Sequence, residues 1–283
     1  MELNQLIFDI RKRKELNHLY PEFVLFQINE FLRKNPKAKN YIDKPKSREY
    51  KQIIKEIRAQ LRRFHGLFQL KHSDKFIEKI NSANDIDGLK KVALNILQDH
   101  ASTKERNLFY ETFYEDLIKI VGKINSVLDL GCGLNPFSLF ILNEKLKKGK
   151  LKNYYAYDIN ELEIKFINSL FSKIHELNKK FNGVAGYLNL LELDNILNLS
   201  KSDVAFLFKV TDILDQGKGH KMTESVIDAI PSKTIVLSFP TKTMSGKEMT
   251  APMRNWVKLL CERRKWEYSI LQYETELFYV VVK

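Results

Sequence analysis

The chain has 283 residues, 44% apolar and 29% charged, an ordinary globular composition with room for about two domains. Its two cysteines, Cys132 and Cys261, and six histidines without His-x-x-x-His spacing argue against a disulfide scaffold, a cysteine zinc site and a zincin. An excess of 47 Lys+Arg over 35 Asp+Glu leaves a net charge of +12, which suits a polyanionic partner without naming one.

No apolar run reaches the length of a membrane span. Residues 1–14 carry Glu2 and Asp9 and lack the apolar core of a signal peptide, so the expected setting is cytoplasmic and reducing.

The first hundred residues read as helices. Leu3, Leu6, Ile7 and Ile10 are periodic, as are Phe23, Phe26, Phe31 and their neighbours. Asn35-Pro36 and Lys44-Pro45 break the pattern, and another helix is expected near residues 85–98. This part carries net +8, against +4 for residues 101–283. From Arg33 to Arg63 there are 12 basic and 3 acidic residues. Within that run Tyr50, Ile53, Ile54, Ile57, Leu61 and Phe64 share a core-facing helical spacing. Lys51, Lys55, Arg58 and Arg62 form a stripe on another face. A solvated face would produce such a stripe too. Yet Glu56 is the main acid within the helix, and like charges at this spacing repel, so the balance favours a binding surface.

After residue 100, strands and helices alternate. Ser102 and Glu105 form a capping box for a helix with Leu108, Phe109, Phe113, Leu117 and Val121 inward. The strand Ser126–Leu130 runs into Gly131-Cys-Gly-Leu-Asn135, where Asn135 can cap a helix beginning at Pro136. Further strands are expected at 154–157, 186–191, 203–208 and 234–239, with a helix opened by Asn160 and Glu163 after the first and helices at 220–230 and about 252–264 after the last two. Residues 268–273 and 277–282 suggest a closing antiparallel hairpin. The pattern implies an α/β, Rossmann-like, mostly parallel seven-stranded sheet of the doubly wound type.

A strand, a Gly-x-Gly turn, a helix and then an acid at the next strand end form the central constellation: Asp129, Gly131, Gly133 and Asp158. Glycines let the backbone approach a ligand, and a carboxylate at the second strand end can hold a ribose. Pro136 stands where a dinucleotide fingerprint has its third glycine, and no Walker lysine is present. S-adenosylmethionine, with a ribose and adenine but no phosphate, fits better; Asp158 as a mere turn residue is the competing reading. Arg106 in the preceding helix either faces solvent or forks a carboxylate.

At these residues the chain resembles the 16S ribosomal RNA guanine-N7 methyltransferases of aminoglycoside resistance. The resemblance rests on residues 100–106 (HASTKER), 128–136 (LDLGCGLNP), 203–209 (DVAFLFK) and 238–248 (SFPTKTMSGKE). It implies a class I S-adenosylmethionine-dependent methyltransferase fold over residues 101–283 and a helical, basic RNA-binding domain over residues 1–100. Arg106 would hold the cofactor carboxylate, Asp129, Gly131, Cys132 and Gly133 its methionine part, and Asp158 with Ile159 the ribose. Asn189 and Leu190 would meet the adenine, and Lys209 would close the site. Asn189 itself stands where many members carry an acid. The implied partner is 16S rRNA in the decoding region of the small ribosomal subunit, met by a monomer.

Guanine N7 offers a lone pair and no proton, so its methylation requires alignment and no general base. The sequence agrees: it shows no nucleophile–base constellation. Lys209 can serve ribose chemistry or be a surface strand end. Met244, Met249 and Met253 can stack on a base or pack a loop, and Lys242 and Lys247 can contact phosphate or solvate that loop.

Overall fold

The computed structural model describes residues 2–65, 75–99, 101–146, 150–215, 219–243 and 246–283. The chain forms two compact units. One is Met1–Gln69 with Ile159–Leu162, and the other is Leu70–Asp158 with Glu163–Lys283. The division falls at residue 69, against an expectation near residue 100. The helix expected near 85–98 contributes buried Leu89, Ala93, Ile96 and Leu97 to the second unit.

The first unit packs α1 (Glu2–Arg11), α2 (Pro21–Lys34) and α3 (Arg48–His65). Their periodic apolar residues meet as expected: Leu6, Ile10, Phe23, Val24, Ile28, Tyr50, Ile53, Ile57 and Leu61 are all buried. Phe23 and Phe64 meet edge to face with centroids 5.5 Å apart. The Tyr50 hydroxyl donates to Asp9 at 2.8 Å. The 159–162 segment joins through the backbone, the Tyr20 amide donating to the Ile159 carbonyl at 2.9 Å and the Glu161 amide to that of His18 at 2.7 Å.

The second unit begins with α4 (Phe76–Asn81), α5 (Ile86–Asp99), α6 (Ala101–Arg106) and α7 (Tyr110–Val121). The sheet then unrolls: β1 (Ser126–Leu130), α8 (Leu139–Lys145), β2 (Asn153–Asp158), α9 (Glu161–Leu177), β3 (Asn182–Tyr187), α10 (Leu193–Leu197) and β4 (Ser202–Phe208). It closes with α11 (Thr211–Leu214), α12 (Lys221–Ala229), β5 (Ser232–Pro240), α13 (Asn255–Arg264), β6 (Glu267–Gln272) and β7 (Glu276–Val282). The strand order is β3-β2-β1-β4-β5-β7-β6, with β7 antiparallel to both neighbours. The order reverses between β1 and β4, and the crevice at such a reversal is where doubly wound sheets bind ligands.

Both faces of the central strands are covered, which is why they read as near-continuous apolar runs. Leu128, Leu130, Leu207, Leu237 and Tyr279 pack with Val226, Ile227, Val257 and Leu260 from α12 and α13. On the other face Phe113 of α7 meets Phe278 at 4.4 Å and Phe208 at 5.9 Å between centroids.

Four expectations needed correction. The helix expected from the Ser102 cap starts at Ala101, which puts Ser102 inside it, and breaks after Arg106; the Ser102 side chain lies outside the described residues. Leu108, expected inward, is 79% exposed, because the chain turns there before α7 begins. Asn135 opens a short 3-10 turn, and its side chain makes tertiary bonds in place of a cap. The third strand lies earlier than expected, at 182–187. It is a half-exposed edge strand with two glycines, so it lacks an apolar signal. A Cβ on Gly183 would come within 2.4 Å of the Phe171 ring, so this strand needs glycine for α9 to pack on it. By contrast, Asn160 caps α9 as expected, accepting from the Leu162 amide at 3.0 Å.

Candidate cofactor and RNA site

The Gly131–Gly133 turn is built from backbone conformation first. Gly131 has φ +63° and Gly133 φ +49°, a region that L side chains rarely adopt. A Cβ on Gly131 would also lie 3.0 Å from Val210 Cγ1. The amides of Gly131 and Cys132 both donate to the Tyr157 carbonyl, at 2.9 and 3.1 Å, which pins the turn to the end of β2. Asp158, the next residue, accepts from the Gly133 amide at 2.9 Å. The two expected elements, turn and acid, are therefore one bonded unit.

Beneath the turn, Asp129 is buried and accepts through Oδ2 from Asn135 at 2.8 Å and from the Tyr154 hydroxyl at 2.7 Å. Tyr110 in turn donates to Asn135 at 2.9 Å. Asp129 Oδ1 has no partner among the described residues. Burial pushes the Asp129 carboxyl up to about 7, with the bonds from Asn135 and Tyr154 working the other way. The folded protein thus holds this proton more tightly than the unfolded chain, where an aspartate titrates near ~3.9. The resulting stability is present below that pH and is lost as pH rises through about 7. Asp129→Asn keeps an acceptor for its neighbours, and its unfolding free energy in urea should fall less between pH 4 and 8 than that of the unmodified protein. Parallel curves would remove Asp129 as the source of the slope.

Glu163 lies buried nearby, and burial, with the Asp158 charge beside it, raises its carboxyl well above the usual range. This favours its protonated form. Cys132 is buried, and burial with the surrounding carboxyls raises its thiol far from thiolate. Cys261, also buried, is pushed up to about 11. Neither cysteine is an activated nucleophile.

Past the end of β3, Asn189 and Leu190 are buried. The Leu191 amide donates to Asn189 Oδ1 at 3.1 Å, which fixes the amide's orientation. Asn189 Nδ2 is left buried without a partner among the described residues. A buried donor without an acceptor costs about 1–3 kcal/mol, which a ligand acceptor would relieve. Ile159, next to Asp158 in sequence, belongs to the first unit, where its carbonyl accepts from the Tyr20 amide at 2.9 Å.

Arg106 is not solvent-exposed: it is 3% accessible. Its Nε donates to both Glu276 oxygens at 3.0 Å, and its guanidinium lies 4.8 Å from the Phe208 ring centroid. Burial works against its charge, but Glu276 outweighs that and holds Arg106 above the ordinary arginine range. Ser238, from the 238–242 (SFPTK) segment, donates to the same carboxylate. Lys209 is no surface strand end either. Its Nζ is 2.7 Å from Glu105 and 3.3 Å from Glu276. Its backbone is left-handed, φ +57°, and its amide donates to Ser238 Oγ at 3.1 Å. Such a conformation costs an L-residue about 1–3 kcal/mol and persists only where neighbours enforce it. Glu276 joins Arg106, Ser238 and Lys209, yet reading the sequence misses it. The only signal is a single acid at the head of the apolar run 277–282.

Residues 241–243 pair antiparallel with residues 247–249. The Met249 amide donates to the Thr241 carbonyl at 2.8 Å, and that of Thr243 to Lys247 at 2.7 Å. Lys242 is paired with Glu274 at 2.8 Å, Lys247 is exposed, and Met253 is 46% exposed. Met244 lies outside the described residues. Of the α3 stripe, Lys51 and Lys55 are exposed. Arg58 instead donates to the Asp9 and Ile10 carbonyls, at 2.5 and 3.2 Å, satisfying the open end of α1. Arg62 pairs with Glu15 at 2.7 Å. The stripe therefore divides into two exposed lysines and two arginines that serve the fold. Among the described residues no cluster suits a metal ion, and no helix is long and apolar enough to cross a membrane.

Comparison with known proteins places this geometry. The model of the family described as Ribosomal RNA methyltransferase (FmrO) matches residues 48–280. A 16S rRNA (guanine(1405)-N(7))-methyltransferase of Proteus mirabilis is 29% identical over 214 residues, 70% of this chain and 72% of its own length. One from Micromonospora rosea is 26% identical over 223 residues, 76% of this chain and 73% of its own. The 16S rRNA methyltransferase RmtF, solved in complex with S-adenosyl-L-homocysteine, superposes with a TM-score of 0.74 over 100% of this chain and 98% of its own, at 22% identity. The 16S rRNA methylase RmtB gives 0.70 over 99% and 98%, also at 22%. These last two establish the class I methyltransferase fold. The family model spans most of the chain, both sides of the Gly131 turn and the Arg106–Glu276 pair, and this chain belongs to the FmrO family of ribosomal RNA methyltransferases.

Proposed function

We propose that the protein transfers a methyl group from S-adenosylmethionine to N7 of a guanine in 16S rRNA of the small ribosomal subunit. The observation that carries this reading is the Asp158-bonded Gly131–Gly133 turn, in a site where Arg106 and Lys209 are held in ion pairs with Glu276 and Glu105. The relatives named above are guanine-N7 enzymes and point the same way.

When bound, the cofactor supplies an electrophilic methyl on sulfonium sulfur. Asp158 would hold the ribose hydroxyls and Asn189 Nδ2 the adenine. The glycine turn would let the backbone come close to the methionine part, and Arg106, held by Glu276, would face its carboxylate. N7 brings its own lone pair, so these residues act by alignment and water exclusion. Lys209, set between the Glu105 and Glu276 carboxylates, holds the end of β4 in place.

The test is a tritiated-methyl assay on small subunits and on free ribosomal RNA, with the modified nucleotide mapped. Label at a guanine N7 of 16S rRNA is expected; label confined to protein or small molecules would overturn the reading.

The basic helices supply the grip on RNA in this reading, with Lys51 and Lys55 contacting phosphate and Lys242 and Lys247 assisting from the other unit. Replacing Lys51 and Lys55 together by alanine should weaken subunit binding and lower its salt slope by roughly 1–2, with thermal stability unchanged. Arg58→Ala should do the reverse, costing about 1–3 kcal/mol of stability through the orphaned carbonyls of α1. Filter binding against salt and thermal melts separate the two; an unchanged slope in the lysine pair would leave them a solvated face.

A further inference from the structure

Leu108 is the most exposed large apolar side chain among the described residues, at 79%. Single exposed leucines are ordinary, but the setting of this one is not. The apolar spacing 109-113-117 continues back through Leu108 in sequence, yet the chain breaks the helix at residues 107–109. That break turns Phe109 in and Leu108 out. The turn is held at both ends. On one side Arg106 is fixed by Glu276 and Phe208. On the other, Phe109 stacks on Tyr273 with centroids 4.8 Å apart and planes 2° from parallel. Leu108 is thus anchored over the ends of β4 and β7, on the opposite side of the β1/β4 reversal from Asp158 and Asn189. Lys242 is tied to Glu274 at the turn following Tyr273, and Lys104 and Lys247 are exposed.

We propose that Leu108 is an apolar wedge that enters the RNA stack at the target nucleotide and keeps the extruded base in the methyl-transfer site. This rests on the RNA methyltransferase reading above. N7 lies in the deep, narrow groove of a paired RNA, so the base must leave the stack to react. An apolar side chain inserted between base steps offsets part of the unstacking cost, which is a few kcal/mol per step. Rigid anchors on both sides suit that task, since a wedge on a loose loop would yield to the closing stack.

The experiment compares Leu108→Ala, Leu108→Met and Leu108→Gln on small subunits. It measures methyl-transfer turnover, S-adenosylmethionine affinity by calorimetry, and melting temperature. Because the side chain is exposed, all three variants are expected to fold and to bind cofactor as the parent does. Leu108→Ala and Leu108→Gln should lose about tenfold or more in turnover, and Leu108→Met should keep most of it. Parental turnover in Leu108→Ala, equal activity of the Gln and Met variants, or a loss traced to weaker cofactor binding would each overturn the wedge. Failure of the parent itself to label 16S rRNA would instead overturn the functional reading and the wedge with it.

Discussion

Asp158→Ala is expected to lower S-adenosylmethionine affinity by at least about 100-fold. Two losses combine. A carboxylate bonding a ribose makes charge-assisted hydrogen bonds, worth about 1.5–3 kcal/mol each, and every 1.4 kcal/mol is tenfold in affinity. The same carboxylate also holds the Gly133 amide at 2.9 Å, so its removal frees the turn that must approach the cofactor. Asp158→Asn separates the two contributions. It keeps an acceptor for Gly133 but loses the charge and one acceptor oxygen, and an intermediate affinity is expected. Calorimetric affinity unchanged in Asp158→Ala would remove the residue from the site.

The second large effect is on stability. Glu276→Ala leaves the Arg106 guanidinium buried without its carboxylate, and breaking one side of a buried ion pair costs about 3–5 kcal/mol. For a domain of this size that lowers Tm by about 10 °C. Ser238 and Lys209 lose the same partner, which deepens the cost. Glu276→Gln retains hydrogen bonding and should fall between. Replacing Arg106 and Glu276 together by apolar residues should cost less than the sum of the single changes, since neither charge is then stranded. Melting of the cofactor-free proteins reads all of these. A Tm within 2–3 °C of the parent in Glu276→Ala would show that the pair is worth little to the fold.

The two predictions concern groups of different legibility. Asp158 is readable because its neighbours in sequence announce it: an apolar run, a turn of glycines, a second run and an acid at its end. The same local logic gives β1, β2, β4, β5 and the final hairpin to within about two residues; the central strands are legible because strands buried on both faces have continuous apolar sequence. It gives the buried face of α3 as well, from Tyr50 to Leu61. It fails at β3, whose edge position needs little apolar surface. It fails too at residues 106–109, where helical spacing continues across a break that tertiary contacts impose.

What the sequence determined by itself is the alternation of elements, the glycine turn with its acid, and a family resemblance that the comparisons bear out. Only the tertiary structure decided where charges go. Arg106 meets Glu276 across 170 residues, Arg58 closes α1 across about fifty, and Asn135 turns from a helix cap to a bond with buried Asp129. The reason is physical. Apolar periodicity is a local property, written into each element by the face it must bury. A buried charge or donor is satisfied by whatever partner the folded chain carries to it, and that partner can lie anywhere in the sequence.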